Sequence, residues 1–477
     1  MSIRRRHAHL NWLIWVFACA VYGCRSQTET NIGGLPHLVL TAEDRILVLA
    51  PHPDDEVLGC AGIMQGVVER GLPLQIVFLT YGDSNEWSFL VYRKRPVLRS
   101  KAIQQMGLLR HQEALNAAEL LGISPQQLTF LGYPDFGMLH MWEAYWGARP
   151  SFRSMLTRVS AVPYANARRP GAPYRGEEVL RDLIEVIREF RPTKIFVPHP
   201  ADYNPDHRAL YLFTRVALWD LERELHPELY PYLIHYGRWP RPLGYHPQLP
   251  LSPPPVLREQ VSWRLYPLIA RFVNRKQAAL KAHRTQYAYS AKRLLTLVRS
   301  NELFGDLPDV PLHPVGSSKS LSLGEGGASL EIPEQLTDRE EESFISVDWG
   351  TAQLEEHNLV ISMTLSRPLS GRTRASIYIF GYRADRPFED MPKIHIRLGP
   401  QGAAVYDQEK RLPGEMLQVG WQMNHVTIRV PLETLGDPER VLSSARTYRG
   451  NVPLDWASWR VLDLRRGNMG RPEKPAP

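Results

Sequence analysis

The residues best suited to chemistry stand in one short run, Pro51-His52-Pro53-Asp54-Asp55-Glu56. An imidazole and three carboxylates so close together can supply two metal ligands and still leave a base. The apolar stretch Leu47-Val48-Leu49-Ala50 before the run reads as a strand, and the residues after it as a helix. In an open α/β sheet that C-terminal strand edge is where ligands bind. Asp54 and Asp55 read equally as N-cap residues of the helix. A second run, Pro198-His199-Pro200-Ala201-Asp202-Tyr203-Asn204-Pro205-Asp206-His207, also follows an apolar strand and precedes a helix. Two such clusters at the ends of two parallel strands can converge on one crevice. His52, Asp55 and His207 then form a two-His, one-carboxylate set with an open position for water. That is the pattern of a catalytic zinc, and the set also suits ferrous iron. Asp206 reads either as a partner that orients an imidazole or as a helix cap, with His207 then a surface residue.

These runs need elements to position them. Residues 45–50, 74–80, 128–133, 194–199 and 232–236 read as strands. Residues 57–70, 98–121, 177–190 and 206–225 read as helices, with a last helix at 274–299. The alternation predicts an α/β domain over 44–305, a Rossmann-like, mostly parallel sheet with helices on both faces. Residues 306–327, rich in Pro, Gly and Ser, read as a linker, and the module beyond it as one that binds a glycan, the first domain or a partner. Strand periodicity at 343–349, 359–365, 375–382, 393–398, 425–431 and 459–464 predicts an all-β, sandwich-like C-terminal domain over 328–477.

The length of 477 residues exceeds one ordinary domain, and 43% hydrophobic with 22% charged residues excludes a mostly disordered chain. A net charge of +7 without a dense Lys/Arg block gives no case for nucleic acid. Three cysteines, Cys19, Cys24 and Cys60, exclude a disulfide framework and a cysteine zinc finger. Arg4, Arg5 and Arg6 precede an uncharged apolar run at 12–23, too short to span a bilayer and typical of a secretory signal over 1–23. Val21-Tyr22-Gly23-Cys24 resembles a bacterial lipobox, with Cys24 as the lipidated N-terminus and 24–43 as a linker. Tyr22 is unusual in that slot, so plain cleavage is the other reading. The expectation is an exported, membrane-anchored lipoprotein facing the periplasm or cell surface.

Taken together, the two clusters resemble the signature of the PIG-L (LmbE-like) zinc-dependent N-deacetylases. That family includes N-acetylglucosaminylphosphatidylinositol deacetylase and the deacetylases of mycothiol and bacillithiol synthesis. The resemblance continues through Arg110-His111-Gln112-Glu113, Phe130-Leu131-Gly132-Tyr133-Pro134-Asp135 and Ala282-His283-Arg284-Thr285-Gln286, and so covers residues 44–304. It implies zinc on His52, Asp55 and His207, Asp54 as general base, and Arg110 and Asp135 at an amino-sugar or glycan substrate. The family often carries a histidine three residues before the ligand histidine, where it stabilises the oxyanion or protonates the leaving amine. Asn204 stands there instead; an amide donates a hydrogen bond but delivers no proton.

His235 reads as a substitute for that missing histidine or as a packed strand residue. Arg110 reads also as an ion-pair partner of Glu113 on its own helix. Trp142, with Tyr145 and Trp146, reads as a platform for a sugar ring or as core. The C-terminal domain loosely resembles the carbohydrate-binding sandwiches appended to secreted sugar enzymes. The expectation is removal of the N-acetyl group from an N-acetylglucosamine-type sugar. The alternatives are a zinc amidase on another acylated amine, and a glycan-binding surface lipoprotein with a weakened site.

Overall fold

A computed structural model describes residues 32, 34–84, 99–312, 321–322 and 337–465. The leader and Cys24 lie outside the described residues, as do 313–320 and 323–327 of the expected linker and 328–336 of the expected C-terminal domain. Among the described residues no helix is long and apolar enough to cross a membrane.

The first sheet has seven strands in the order β3-β2-β1-β4-β5-β7-β6. They are β1 (Ile46–Ala50), β2 (Leu74–Thr80), β3 (Leu128–Tyr133), β4 (Lys194–Pro198), β5 (Glu228–Tyr232), β6 (Arg264–Pro267) and β7 (Asn301–Phe304). Strands β1 to β5 are parallel, and β7 and β6 close one edge antiparallel. Every residue of β1 and β4 is buried, as strands covered on both faces require. The covering helices form two groups. In one, α6 (Ala270–Ala282) packs on both α1 (Asp55–Glu69) and α2 (Ser100–Leu120). In the other, α3 (Met138–Ala144) and α4 (Gly176–Phe190) pack on α5 (Pro205–Asp220). The strand order reverses where β1 meets β4, so the runs after these two strands face each other across the crevice of the sheet.

Three local expectations change. The strand expected at 232–236 lies at Glu228–Tyr232, because the N–H groups of Ile234 and His235 donate to the Asp202 carboxylate instead of a neighbouring strand. The helix expected at 274–299 breaks at His283 into α6 and α7 (Arg284–Leu295). Leu38, in the expected N-terminal linker, is buried and donates its N–H to the Leu265 carbonyl, so this segment belongs to the first domain.

The second core is a sandwich of two antiparallel-rich sheets. One has five strands in the order β16 (Gln418–Gln422), β17 (His425–Pro431), β11 (Asn358–Leu365), β10 (Val347–Glu355) and β9 (Leu321–Ser322). The other runs β15 (Lys410–Arg411), β14 (Gly402–Asp407), β13 (Lys393–Gly399), β12 (Thr373–Tyr382), β18 (Arg440–Arg449), β20 (Arg460–Asp463) and β8 (Val310–Pro311), with β19 (Val452–Trp456) on β18. Alternate residues of β11 (Asn358–Leu365) and β17 (His425–Pro431) meet those of β12 (Thr373–Tyr382) and β13 (Lys393–Gly399) in one apolar cluster. Strand β8 (Val310–Pro311) pairs with β20 (Arg460–Asp463), so part of the expected linker is already the second domain.

The two domains share an aromatic contact. Trp142, on α3, is fully buried (0% exposed) between them. Its ring packs on Phe213 of α5 at 5.1 Å and on Phe388, Phe380 and Trp459 of the second domain at 5.3, 5.8 and 6.2 Å. Trp146 joins the same aromatic core, with the Lys393 ammonium 5.1 Å from its ring. This corrects the expectation that Trp142 stacks on a sugar: an enclosed ring has no face to offer. Trp142→Ala in the full chain should cost about 3–5 kcal/mol, read as a lower denaturant midpoint. A chain ending before β8 should be recovered insoluble. A soluble, cooperatively folding fragment would show the aromatic contact to be dispensable.

Candidate active site

The crevice between β1 and β4 collects the two runs. Asp55 opens α1, and His52 lies three residues earlier, in the turn, with its backbone N–H donated to Asp55 Oδ2 at 3.0 Å. His207 sits in the first turn of α5, where Pro205 follows the N-cap Asn204. The three converge: His52 Nδ1 lies 3.0 Å and His207 Nε2 3.1 Å from the same oxygen, Asp55 Oδ2. All three are buried and can offer one ligand atom each to a metal ion.

The nitrogens pointing away from this centre face carboxylates too. His52 Nε2 faces Asp206 at 3.2 Å and Asp135 at 3.1 Å, and His207 Nδ1 faces Asp202 at 3.2 Å. Each imidazole therefore has a carboxylate behind it, which sets the tautomer and aims the other nitrogen inward. A cation fits this donor set on a direct observation. Both His207 nitrogens are buried without a hydrogen bond, Nε2 3.1 Å from Asp55 Oδ2 and Nδ1 3.2 Å from Asp202 Oδ2. With its proton displaced, an imidazole nitrogen so close to a carboxylate oxygen is a donor that a cation takes up.

The electrostatics agree with a site built around positive charge. Burial disfavours the charged form of His52, but Asp135, Asp206 and Asp55 outweigh it and raise its pKa well above the ordinary value. Burial likewise opposes charge on His207, while Asp202 and Asp55 lift it to about 9. Burial pushes Asp55 upward, yet His207 and His52 hold it well below the carboxylate range. Without a metal the imidazoles keep protons that the cation must displace.

Asp54 stands apart from the ligands. It occupies the N-cap position of α1, but its side chain makes no capping bond, so the carboxylate is free for other work. Its φ of 123° is far from the usual regions, a strain of about 1–3 kcal/mol that the surroundings must hold. Glu56 accepts the Asp54 N–H at 2.9 Å. Arg110 donates to the Pro53 carbonyl at 2.6 Å, the Gly82 carbonyl at 2.7 Å and Asp54 Oδ1 at 3.4 Å. Gly82, at φ 63°, leaves room for that guanidinium; a Cβ there would collide with it. Burial raises the Asp54 carboxyl to about 7 against the pull of Arg110.

The remaining expected residues fall as follows. Arg110 is buried and clamps the base turn; Glu113 does not pair with it but accepts from Thr285. Asp135 is buried against His52 and accepts the Ser84 N–H at 2.8 Å, so it addresses the imidazole. Asn204 uses its side-chain oxygen to cap α5 through the Asp206 N–H at 2.9 Å. Asp206 supports His52 rather than its neighbour His207, and also accepts the N–H groups of Phe136 and Met138 at 2.6 and 3.1 Å. His235 packs edge-on to His207, with ring centroids 4.8 Å apart, and burial lowers it to about 4. It is therefore a neutral imidazole at pH 7, able to donate one N–H.

Sequence reasoning missed three groups. Asp202 lies inside the second run, and only its place behind His207 reveals its role. His283 at the helix break is 3.3 Å from Glu56, which in turn holds the Asp54 backbone. Phe136 projects from the turn after β3 beside His52.

Fold and site define a doubly wound α/β domain with a His/Asp divalent-cation site at its topological switch. Residues 47–218 match the PIG-L family, described as GlcNAc-PI de-N-acetylase, and that segment is a PIG-L family domain. The chain is similar to 1D-myo-inositol 2-acetamido-2-deoxy-alpha-D-glucopyranoside deacetylase 1 of Saccharopolyspora erythraea, 31% identical over 38% of this chain and 55% of that protein. It is also similar to 4-oxalmesaconate hydratase of Pseudomonas putida, 26% identical over 39% of this chain and 66% of that protein. The chain thus spans between about half and two thirds of the length of these two curated relatives. A solved structure, N,N'-diacetylchitobiose deacetylase from Pyrococcus horikoshii, is 20% identical over 55% of this chain and 82% of that one, with a TM-score of 0.35.

The donor set predicts about one divalent ion per purified chain by elemental analysis, and its loss in His207→Ala. Asp202→Asn and Asp206→Asn should each weaken retention about 10–100-fold. Full ion content in His207→Ala would overturn the ligand assignment.

Proposed function

We propose that this chain is a metal-dependent N-deacetylase of an N-acetylglucosamine-type sugar in a glycan or glycoconjugate. The observation that carries it is the Asp54 carboxylate, which makes no helix-cap bond and meets Arg110 at 3.4 Å, next in the chain to Asp55 of the convergent His52, Asp55 and His207. The PIG-L family domain and a relative named for a 2-acetamido-2-deoxy-glucopyranoside substrate supply the substrate class. Zinc suits two imidazoles and one carboxylate, and ferrous iron is the competing ion. A divalent ion held by these three side chains supplies the Lewis acidity that acidifies water and polarises an amide carbonyl.

The chain's own residues do the rest. Asp54 takes the proton from the water that attacks the acetamide carbonyl carbon. The C–N bond breaks, and the proton returns from Asp54 to the departing nitrogen, giving acetate and a free amine. Asp54 performs both transfers because the amide of Asn204 has no proton to give. His235, packed against His207, is read as the N–H donor to the carbonyl oxygen. Asp206 and Asp202 keep the two ligand imidazoles aimed while charge moves.

The site is read as working outside the cytoplasm, on the strength of Arg4, Arg5 and Arg6 before the apolar run and the lipobox-like Cys24. Cys24→Ser should move the protein from membrane to soluble fractions, and unchanged membrane association would discard the lipid anchor. For the chemistry, acetate released from N-acetylglucosamine oligosaccharides is measured with added zinc and with a chelator. Asp54→Asn should keep its metal and lose about 100- to 10,000-fold in kcat. Near-parental turnover in that variant would remove Asp54 as the base, and no metal-dependent acetate from the parent would sink the deacetylase reading.

A further inference from the structure

Phe136 carries two features that packing does not explain. Its large apolar side chain is 54% exposed, and its backbone lies at φ 56°, in the left-handed region that favours glycine. Among the described residues it is the only aromatic with a positive φ. The Phe136 N–H donates to Asp206 at 2.6 Å, and the Gly137 N–H to the Pro134 carbonyl at 3.1 Å. These bonds fix a tight turn that turns the ring outward. The ring centroid lies 6.4 Å from that of His52, with the planes tilted by 33°. A single exposed apolar residue is ordinary. One that costs backbone strain and stands beside a candidate metal ligand is a different matter.

We infer that Phe136 is the platform for the substrate's sugar ring, stacking on the apolar C–H face of the pyranose while the 2-acetamido group reaches His52, Asp55 and His207. The chemistry sets the separation. In an N-acetylated amino sugar the carbonyl carbon is joined to the ring through nitrogen alone. A carbonyl at the cluster therefore brings the pyranose to within about one ring's width of the His52 imidazole, where an aromatic neighbour can be stacked upon. Asp206 braces both partners of this arrangement, accepting from His52 Nε2 and from the Phe136 N–H. Trp142 and Trp146, enclosed between the domains, are unavailable for the same task.

This inference rests on the amino-sugar reading, so binding and turnover are measured separately. Full-length zinc-loaded protein, Phe136→Gly and Phe136→Tyr are titrated calorimetrically with the tetramer of N-acetylglucosamine, and acetate release is followed in parallel. Phe136→Gly should weaken binding and raise KM about five- to tenfold, while Phe136→Tyr stays within about twofold of the parent. The loss should be larger on the sugar than on N-acetylethanolamine, which has the acetamide without the ring. The melting temperature of the glycine variant should match or exceed the parent's, since glycine accepts a positive φ without strain. Unchanged sugar affinity in Phe136→Gly, or equal losses with and without the ring, would overturn the platform. A parent that binds the sugar but releases no acetate refutes the deacetylase reading and still leaves Phe136 tested by titration. A parent that binds no sugar refutes both.

Discussion

Negative charge gathered in a buried place governs this molecule. Asp54, Asp55, Asp135, Asp202 and Asp206 are all buried around the ends of β1 and β4, with His52 and His207 among them. Carboxylates in such a place are costly unless a cation or a proton compensates them. Protonated imidazoles balance part of the charge, and Arg110 balances more. The turns exist to hold this arrangement. The left-handed Phe136, the positive φ of Asp54 and the Asn204 cap each place one donor or one carboxylate where charge has to be met.

Much of the first domain was legible in the sequence, for a physical reason. Buried parallel strands must be apolar on both faces, so β1, β2, β3 and β4 appear as short unbroken runs bounded by polar turns. The meeting of His52, Asp55 and His207 was legible as well, because both runs stand at strand ends that face one crevice. What could not be read was direction. Asp206 adjoins His207 in the chain yet serves His52, and Arg110 shares a helix with Glu113 yet reaches across to Asp54. Such pairings depend on which way a side chain leaves its turn, and no spacing rule encodes that.

The second domain was less legible because its central strand looks polar. In β18 (Arg440–Arg449), Ser443, Ser444 and Thr447 are buried, their hydroxyls donating to the carbonyls of Tyr378, Ala457 and Ile345. Buried hydroxyls with such partners pack well, but they erase the alternation of apolar and polar residues that marks a strand. Trp142 was ambiguous for the opposite reason. A ring suited to a sugar face is equally suited to a dry interface, and a second domain close by decides for the interface.

Helix α5 belongs to both domains at once. Its first turn carries His207, its middle sets Phe213 against Trp142, and its last turn sets Trp219 4.9 Å from Tyr382 and Asp220 against the Tyr382 hydroxyl at 2.9 Å. Just after the first turn, Arg208 lies over the Trp456 ring at 4.8 Å. A rod gripped along its whole length moves as one piece. Any ligand that displaced the second domain's sheet would therefore bear on His207 some distance away, and a change around His207 would bear on the sheet in return, since coupling of this kind is reciprocal.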